Sequence, residues 1–286
     1  MYIDEKGNKW YKGNLHTHTR ESDGRRTVEE CLRLYKDAGY DFLCITDHWK
    51  HREGGEFEGM TLLSGAEYDV YPGGMCHHIT SLSCSADPEL TRDNTPREII
   101  DAIHALGGIA NLAHPAWSLN TSEELLLLSD VDCTEIYNAV SGPPYSSRPY
   151  SGEIIDGALK RGMRVNLIAS DDVHYYTTDV LSGFIYVKAE SNSASDITEA
   201  VRRGDIYASS GPVISWEIND GVFSVFCPKG CKSVRFFSGS YWQIDAVTEG
   251  ETVYKADFRI KPGDNFFRAE IVGKDGKFAY TNAFYK

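Results

Sequence analysis

Leu15-His16-Thr17-His18 places two imidazoles two residues apart. On a strand, residues i and i+2 point to the same side, so this pair could grip one cation. Alone, His-x-His is weak, because the pattern often falls on a surface by accident. Its weight comes from its company. Apolar, strand-like runs repeatedly end in further ligand types: Thr46-Asp47-His48, Ser64-Gly65-Ala66-Glu67, His77-His78, Ala113-His114-Pro115 and Ser170-Asp171-Asp172-Val173-His174. Scattered surface histidines would not select the apolar-to-polar edge of successive strands, and strand C-termini are where α/β barrels build active sites. The set contains no cysteine. Nitrogen and oxygen ligands suit Zn, Mn or Fe in a catalytic site and argue against a closed structural zinc knuckle. No Gly-x-Ser-x-Gly elbow occurs, so a Ser-His-Asp mechanism is disfavoured.

The elements that position these residues alternate in type. Thr27-Val28-Glu29-Glu30 is a capping box, Cys31, Leu32 and Tyr35 form an apolar face, and Gly39 stops the helix before a strand over 42–46. Thr95-Pro96-Arg97-Glu98 repeats the pattern, with Ile99, Ile100 and Ile103 inward, Gly107 as stop and a strand over 109–112. A helix over 152–160 precedes a strand over 165–169, and a last helix over 195–203 is closed by Gly204. Such alternation predicts a parallel sheet, and at this length a barrel rather than an open sheet. After Pro212 the pattern changes to short strands over 223–226, 233–237, 256–260 and 267–272, separated by turn residues, which predicts a small β-sandwich. The expected division is therefore a barrel over 1–210 and a β-sandwich-like domain over 211–286.

With 41% hydrophobic and 25% charged residues the chain has the composition of a folded globular protein. Its formal charge of −13 repels duplex nucleic acid and anionic membrane surfaces, and clustered metal-binding carboxylates would supply part of that excess. The first twelve residues are polar, and no apolar stretch approaches a membrane span, so a cytoplasmic location is expected. Seven cysteines without a C-x-x-C pair read as reduced thiols, with Cys44 in an apolar run as a core example.

The motifs His16-Thr17-His18-Thr19 with Ser22-Asp23-Gly24, Thr46-Asp47-His48, Gly65-Ala66-Glu67, Ala113-His114-Pro115 and Asp172-Val173-His174 together resemble the PHP (polymerase and histidinol phosphatase) superfamily. The run Arg203-Gly204-Asp205-Ile206-Tyr207-Ala208-Ser209-Ser210-Gly211-Pro212 further resembles its carbaryl-hydrolase-like branch. The resemblance implies a distorted (β/α)7 TIM-like barrel and two to three divalent metals. One metal would take His16, His18, Glu67 and Asp172. A second would share Glu67 and add His78 and His114, and a third would take Asp23, His48 and His174. Glu67, Asp172 and His174 would serve catalysis, around a hydroxide bridging two metals. The family pattern selects Asp172 over Asp171, and His78 is chosen over His77 because it directly precedes the strand over 79–82.

Other residues read more blandly. His104 belongs to a helix surface and His51 to a solvated loop. Glu135 and Asn138 follow a strand-like run and could either support the site or cap the strand. Arg148 is the candidate phosphate clamp, with Asn14 and Lys12 less favoured. Tyr241 and Trp242 could form a sugar platform, although such residues more often pack in a core or edge. The expected function is a phosphoesterase on a small phosphomonoester such as a nucleotide or sugar phosphate. The alternatives are a carboxylic or carbamate ester hydrolase with the same metals, and a non-catalytic metal-binding module whose β-domain recognises a ligand.

Overall fold

The computed structural model describes residues 1–286. It is a mixed α/β fold of two sheets and five α-helices: α1 (Val28–Asp37), α2 (Pro96–Ala105), α3 (Ser122–Leu127), α4 (Gly152–Lys160) and α5 (Ala194–Arg203). The caps explain where helices begin. In α1 the Glu30 amide donates to the Thr27 hydroxyl at 3.2 Å, and the Thr27 amide donates to the Glu30 carboxylate at 2.8 Å. Thr95 with Glu98 starts α2 in the same way, and each such cap contributes about 1 kcal/mol. A third box, Thr121 with Glu124, starts α3, a helix missed because its six residues show no clear apolar period.

One sheet has five strands in the order Asn166–Ser170, Cys133–Asn138, Ile109–Leu112, His77–Leu82, Gly65–Val70. The first three run parallel, but Gly65–Val70 and His77–Leu82 form an antiparallel hairpin, and His77–Leu82 is antiparallel to Ile109–Leu112. The other sheet has thirteen strands, with Lys9–Asn14 and Phe42–Cys44 parallel near its middle. The two sheets meet at isolated bridges, Thr17 to Val173 and His48 to Glu67.

The strand pairing shows a mixed α/β fold with no closed barrel where a distorted (β/α)7 barrel was expected. The ladder is interrupted at the two bridges, and the 65–82 hairpin reverses chain direction where a helix-then-strand repeat was expected. A parallel return needs a long crossover; the six residues between these strands permit only a reversal.

At the β-rich end the strands are antiparallel, and they are continuous with the thirteen-stranded sheet through the pairing of Phe278–Thr281 with Ile206–Ser209. The rings of Phe223 and Phe236 lie 5.7 Å apart, although both belong to the strand Val222–Ser238. A straight strand would separate them by ~40 Å, so the sheet folds back and packs on itself. Trp10 and Tyr207 join that core, which ties it to the strand Lys9–Asn14. The expected division at 210/211 falls in the turn between Ile206–Ser209 and Ser215–Asn219.

Candidate metal centre

The residues named from the sequence converge where the two sheets meet. His16 and His18 follow the strand Lys9–Asn14 with side chains on one side, as their spacing requires, and their Nε2 atoms lie 3.1 Å apart. Oε2 of Glu67 lies 3.1 and 3.0 Å from these nitrogens, and Oδ1 of Asp172 lies 3.2 and 3.1 Å away. The other oxygen of Glu67, Oε1, accepts from Nδ1 of His78 at 2.8 Å and lies 3.5 Å from Nε2 of His114. Glu67 thus presents one oxygen to each of two donor groups. A third group gathers His18, Asp23, His48 and His174, with Asp23 Oδ2 3.3 Å from His174 Nε2 and 3.8 Å from His48 Nε2.

These residues fit divalent cations. Asp172 Oδ1 is buried without a hydrogen-bond partner, a costly state for a carboxylate unless a cation faces it. His16, His18, Glu67 and Asp172 each offer an atom within 4.8 Å of all the others, and so do His48, Glu67 and His78. Asp172 and His114 have φ of 51° and 31°, in the left-handed region that side chains avoid. Such strain persists where surrounding contacts over-determine it, commonly at functional sites.

Burial works against every charge here, and opposite charges overcome it. For His16, burial lowers the pKa, but Asp172, Glu67 and Glu135 hold it well above the ordinary value. Burial opposes charge on His78 as well, where Glu67 prevails, and on His174, where Asp23 and Asp172 raise the pKa to about 9. Conversely, burial would raise Glu67, yet His16, His78 and His48 hold it well below the carboxylate range. Without metal the carboxylates favour the protonated forms of His16, His48, His78 and His174.

A supporting layer fixes these ligands. Glu135, fully buried within Cys133–Asn138, accepts from Nδ1 of His16 at 2.8 Å, and its other oxygen accepts from the His114 amide at 2.9 Å. Asn138 donates to Glu135 at 2.7 Å and to Asp172 at 3.1 Å. Of the two readings open for Glu135 and Asn138, the structure selects support of the site. Asp47 accepts from the Thr19 amide, the Thr19 hydroxyl and the Ser22 hydroxyl, fastening the loop that carries Asp23. Gly24 closes that loop, since a Cβ there would meet the His18 carbonyl oxygen at 2.4 Å.

Asp171 faces elsewhere. It accepts from the Tyr35 hydroxyl at 2.6 Å and from the amides of Leu181, Ser182 and Gly183, while burial pushes its pKa up to about 6. His77 pairs with Val70, on the face opposite His78, and its Nδ1 has no partner. Asn14 and Lys12 are structural: Asn14 bonds the His16 carbonyl and the Asp171 amide, and Lys12 lies 4.0 Å from the Tyr40 ring centre. His104 sits on α2, with Nε2 2.9 Å from Asp132, as a packing residue.

Three readings are corrected. Arg148 is exposed and does not line the cavity above the ligands, because the 141–149 loop turns it outward. His51 is not solvated: its side chain is 3% exposed, covered where Arg52 bridges Gly65. Tyr241 and Trp242 are 98% and 73% exposed rather than packed in a core or edge. The cavity itself, roughly 690 Å³, is also lined by Asp69, Tyr71, Arg92, Trp117, Tyr145 and Tyr175, none of which the sequence singled out. Only Asp69 carried a usable signal, standing two residues after Glu67 on the same face.

Among solved structures, the chain is similar over 99% of its length to 98% of a two-domain protein from Bacteroides vulgatus containing a predicted PHP-like metal-dependent phosphoesterase, with 15% identity and a TM-score of 0.59. Looser likenesses are a candidate metal-dependent phosphoesterase from Bifidobacterium adolescentis and an amidohydrolase from Chromobacterium violaceum with bound sulfate and no metal. The first has 13% identity and a TM-score of 0.40, covering 57% of this chain and 87% of the other. The second has 16% identity and a TM-score of 0.42, covering 59% of this chain and 89% of the other. No family model matches the sequence, and no curated protein matches it. The chain shares the fold of that Bacteroides protein, and it holds groups of buried histidines and carboxylates able to bind metal. No helix is long and apolar enough to cross a membrane.

Proposed function

We propose that this chain is a metal-dependent hydrolase of PHP type that cleaves a small phosphomonoester. The observation that carries this reading is Glu67, which turns one oxygen toward His16 and His18 and the other toward His78 and His114, with a third donor group beside it. Two to three divalent ions, Zn, Mn or Fe, would be held by His16, His18, Asp23, His48, Glu67, His78, His114, Asp172 and His174. Bound there, they would lower the pKa of a water and neutralise charge on phosphoryl oxygens. The chain's own part is positioning. Glu135 accepts the Nδ1 proton of His16, which leaves Nε2 free to ligate, and Asn138 holds Asp172 and Glu135 together. Glu67 and Asp172 are almost wholly removed from water, so their negative charges would act at full strength on the cations they hold.

Several clustered cations exceed what one neutral carbonyl needs and match a phosphoryl group, whose charge is spread over several oxygens. The rival substrate class, carboxylic or carbamate esters, draws on the carbaryl-hydrolase-like run 203–212. Steady-state kinetics on metal-replete protein with nucleotides, sugar phosphates and p-nitrophenyl phosphate beside aryl esters and carbamates separates them. Turnover of the phosphates first is expected; turnover of esters or carbamates with no phosphate cleaved would overturn the reading.

A further inference from the structure

Arg92 is the one lysine or arginine lining the cavity. It lies in the segment between His77–Leu82 and α2, and its guanidinium is held from two sides. Its Nη1 donates to Oδ2 of Asp69 at 2.7 Å, and its carbon lies 4.8 Å from the ring centre of Trp49. Trp49 is fixed in turn, donating its indole N–H to Oδ1 of Asp69 at 2.6 Å. Asp69 is therefore a junction that holds both Trp49 and Arg92. Asp69 is the only hydrogen-bond partner of Arg92, whose side chain is 63% exposed, so most of its fork of N–H donors faces open space.

Direction matters as much as charge. Oδ1 of Asp69 lies 3.2 Å from Nδ1 of His48, off the line of a hydrogen bond, whereas Nε2 of His48 faces Glu67 and Asp23. The two ring nitrogens of an imidazole point in diverging directions. Asp69 and the guanidinium it holds therefore lie on the side of His48 away from the donor groups. A phosphoryl group held among those groups leaves Arg92 facing a different part of the same molecule. The cavity has room for both, being in the range that holds a whole small ligand.

We propose that Arg92 holds a second, non-reacting oxyanion, so that the substrate is a phosphomonoester carrying a further carboxylate or phosphate; only the reacting ester in this statement rests on the phosphoesterase reading. Asp69 and Trp49 are the positioning residues. A planar fork already braced on an aromatic face binds two oxygens with little ordering to lose.

The test is calorimetric binding of three probes to the manganese-loaded full chain: ethyl phosphate, phosphoglycolate, and the bisphosphate of propane-1,3-diol. The wild type should bind at least one doubly anionic probe about tenfold or more tighter than ethyl phosphate. Arg92→Met should close that gap while leaving ethyl phosphate within about twofold, and Arg92→Lys should keep part of it. Circular dichroism checks that the variants fold. No gap in the wild type, no binding of any probe, or an equal loss for all three in Arg92→Met would overturn the proposal. Binding needs no turnover. A protein that shows the gap yet cleaves no phosphate ester keeps this inference and loses the phosphoesterase reading, and one that cleaves phosphate esters without the gap does the reverse.

Discussion

Asp171 turns its carboxylate to Tyr35 and the backbone of 181–183, whereas Asp172 turns to His16 and His18, so adjacent residues hold a loop and a ligand group respectively. Asp172→Asn should therefore abolish most metal content with the fold retained. Asp171→Asn should keep metal and lose about 1–3 kcal/mol of stability, through impaired hydrogen bonds to buried donors. Elemental analysis and thermal melts rank the two; the reverse ranking would move the ligand by one residue. The titration of His174 is a second residue-scale matter. With its pKa raised to about 9 in the metal-free protein, it carries a proton at pH 7 that a ligating nitrogen must give up. Metal uptake at pH 7 should release protons, and affinity should fall as pH is lowered. The sign for stability follows from linkage. The stability of protonated His174 beside Asp23 is fully present below ~6.5 and lost as pH rises through about 9. Metal-free protein should accordingly weaken across that interval. Indicator titration in weak buffer measures the protons, and none released would remove the histidines from the ligand set.

At the scale of elements, Arg268 joins the β-rich end to the rest. Fully buried on Phe266–Val272, it donates to both oxygens of Asp156 on α4 at 2.7 Å and to Glu270 at 2.7 Å, and Tyr150 bonds Glu270. Removing one partner of a buried ionic network strands the others, at a cost of about 3–5 kcal/mol. Arg268→Met should lower stability by that order, with both parts of the chain unfolding in one transition, because Phe266, Tyr280 and Ala283 belong to the same core as Ile155 and Leu159. Chemical denaturation followed by fluorescence and circular dichroism decides. A loss below ~1 kcal/mol, or two separated transitions, would show that the elements are not coupled this way.

Across the whole molecule, what the sequence determined by itself is what depends on residues a few positions apart. The donors at His16 and His18, the capping boxes of α1 and α2, and the antiparallel turn-rich end were legible because period, cap chemistry and turn residues act locally. The same local grammar was present at Thr121 and Glu124 but too short to weigh. Only the tertiary structure decided which strands pair, and with that the rest. The 65–82 hairpin sets Glu67 and Asp69 beside His78 on one face, splits the oxygens of Glu67 between two donor groups, and leaves the ladder open. The fold-back between Phe223 and Phe236 and the anchoring of Arg92 by Asp69, 23 residues away, belong to the same class. Strand direction, register and side-chain meeting are settled by burial summed over the closed core, a quantity that no window of neighbouring residues contains.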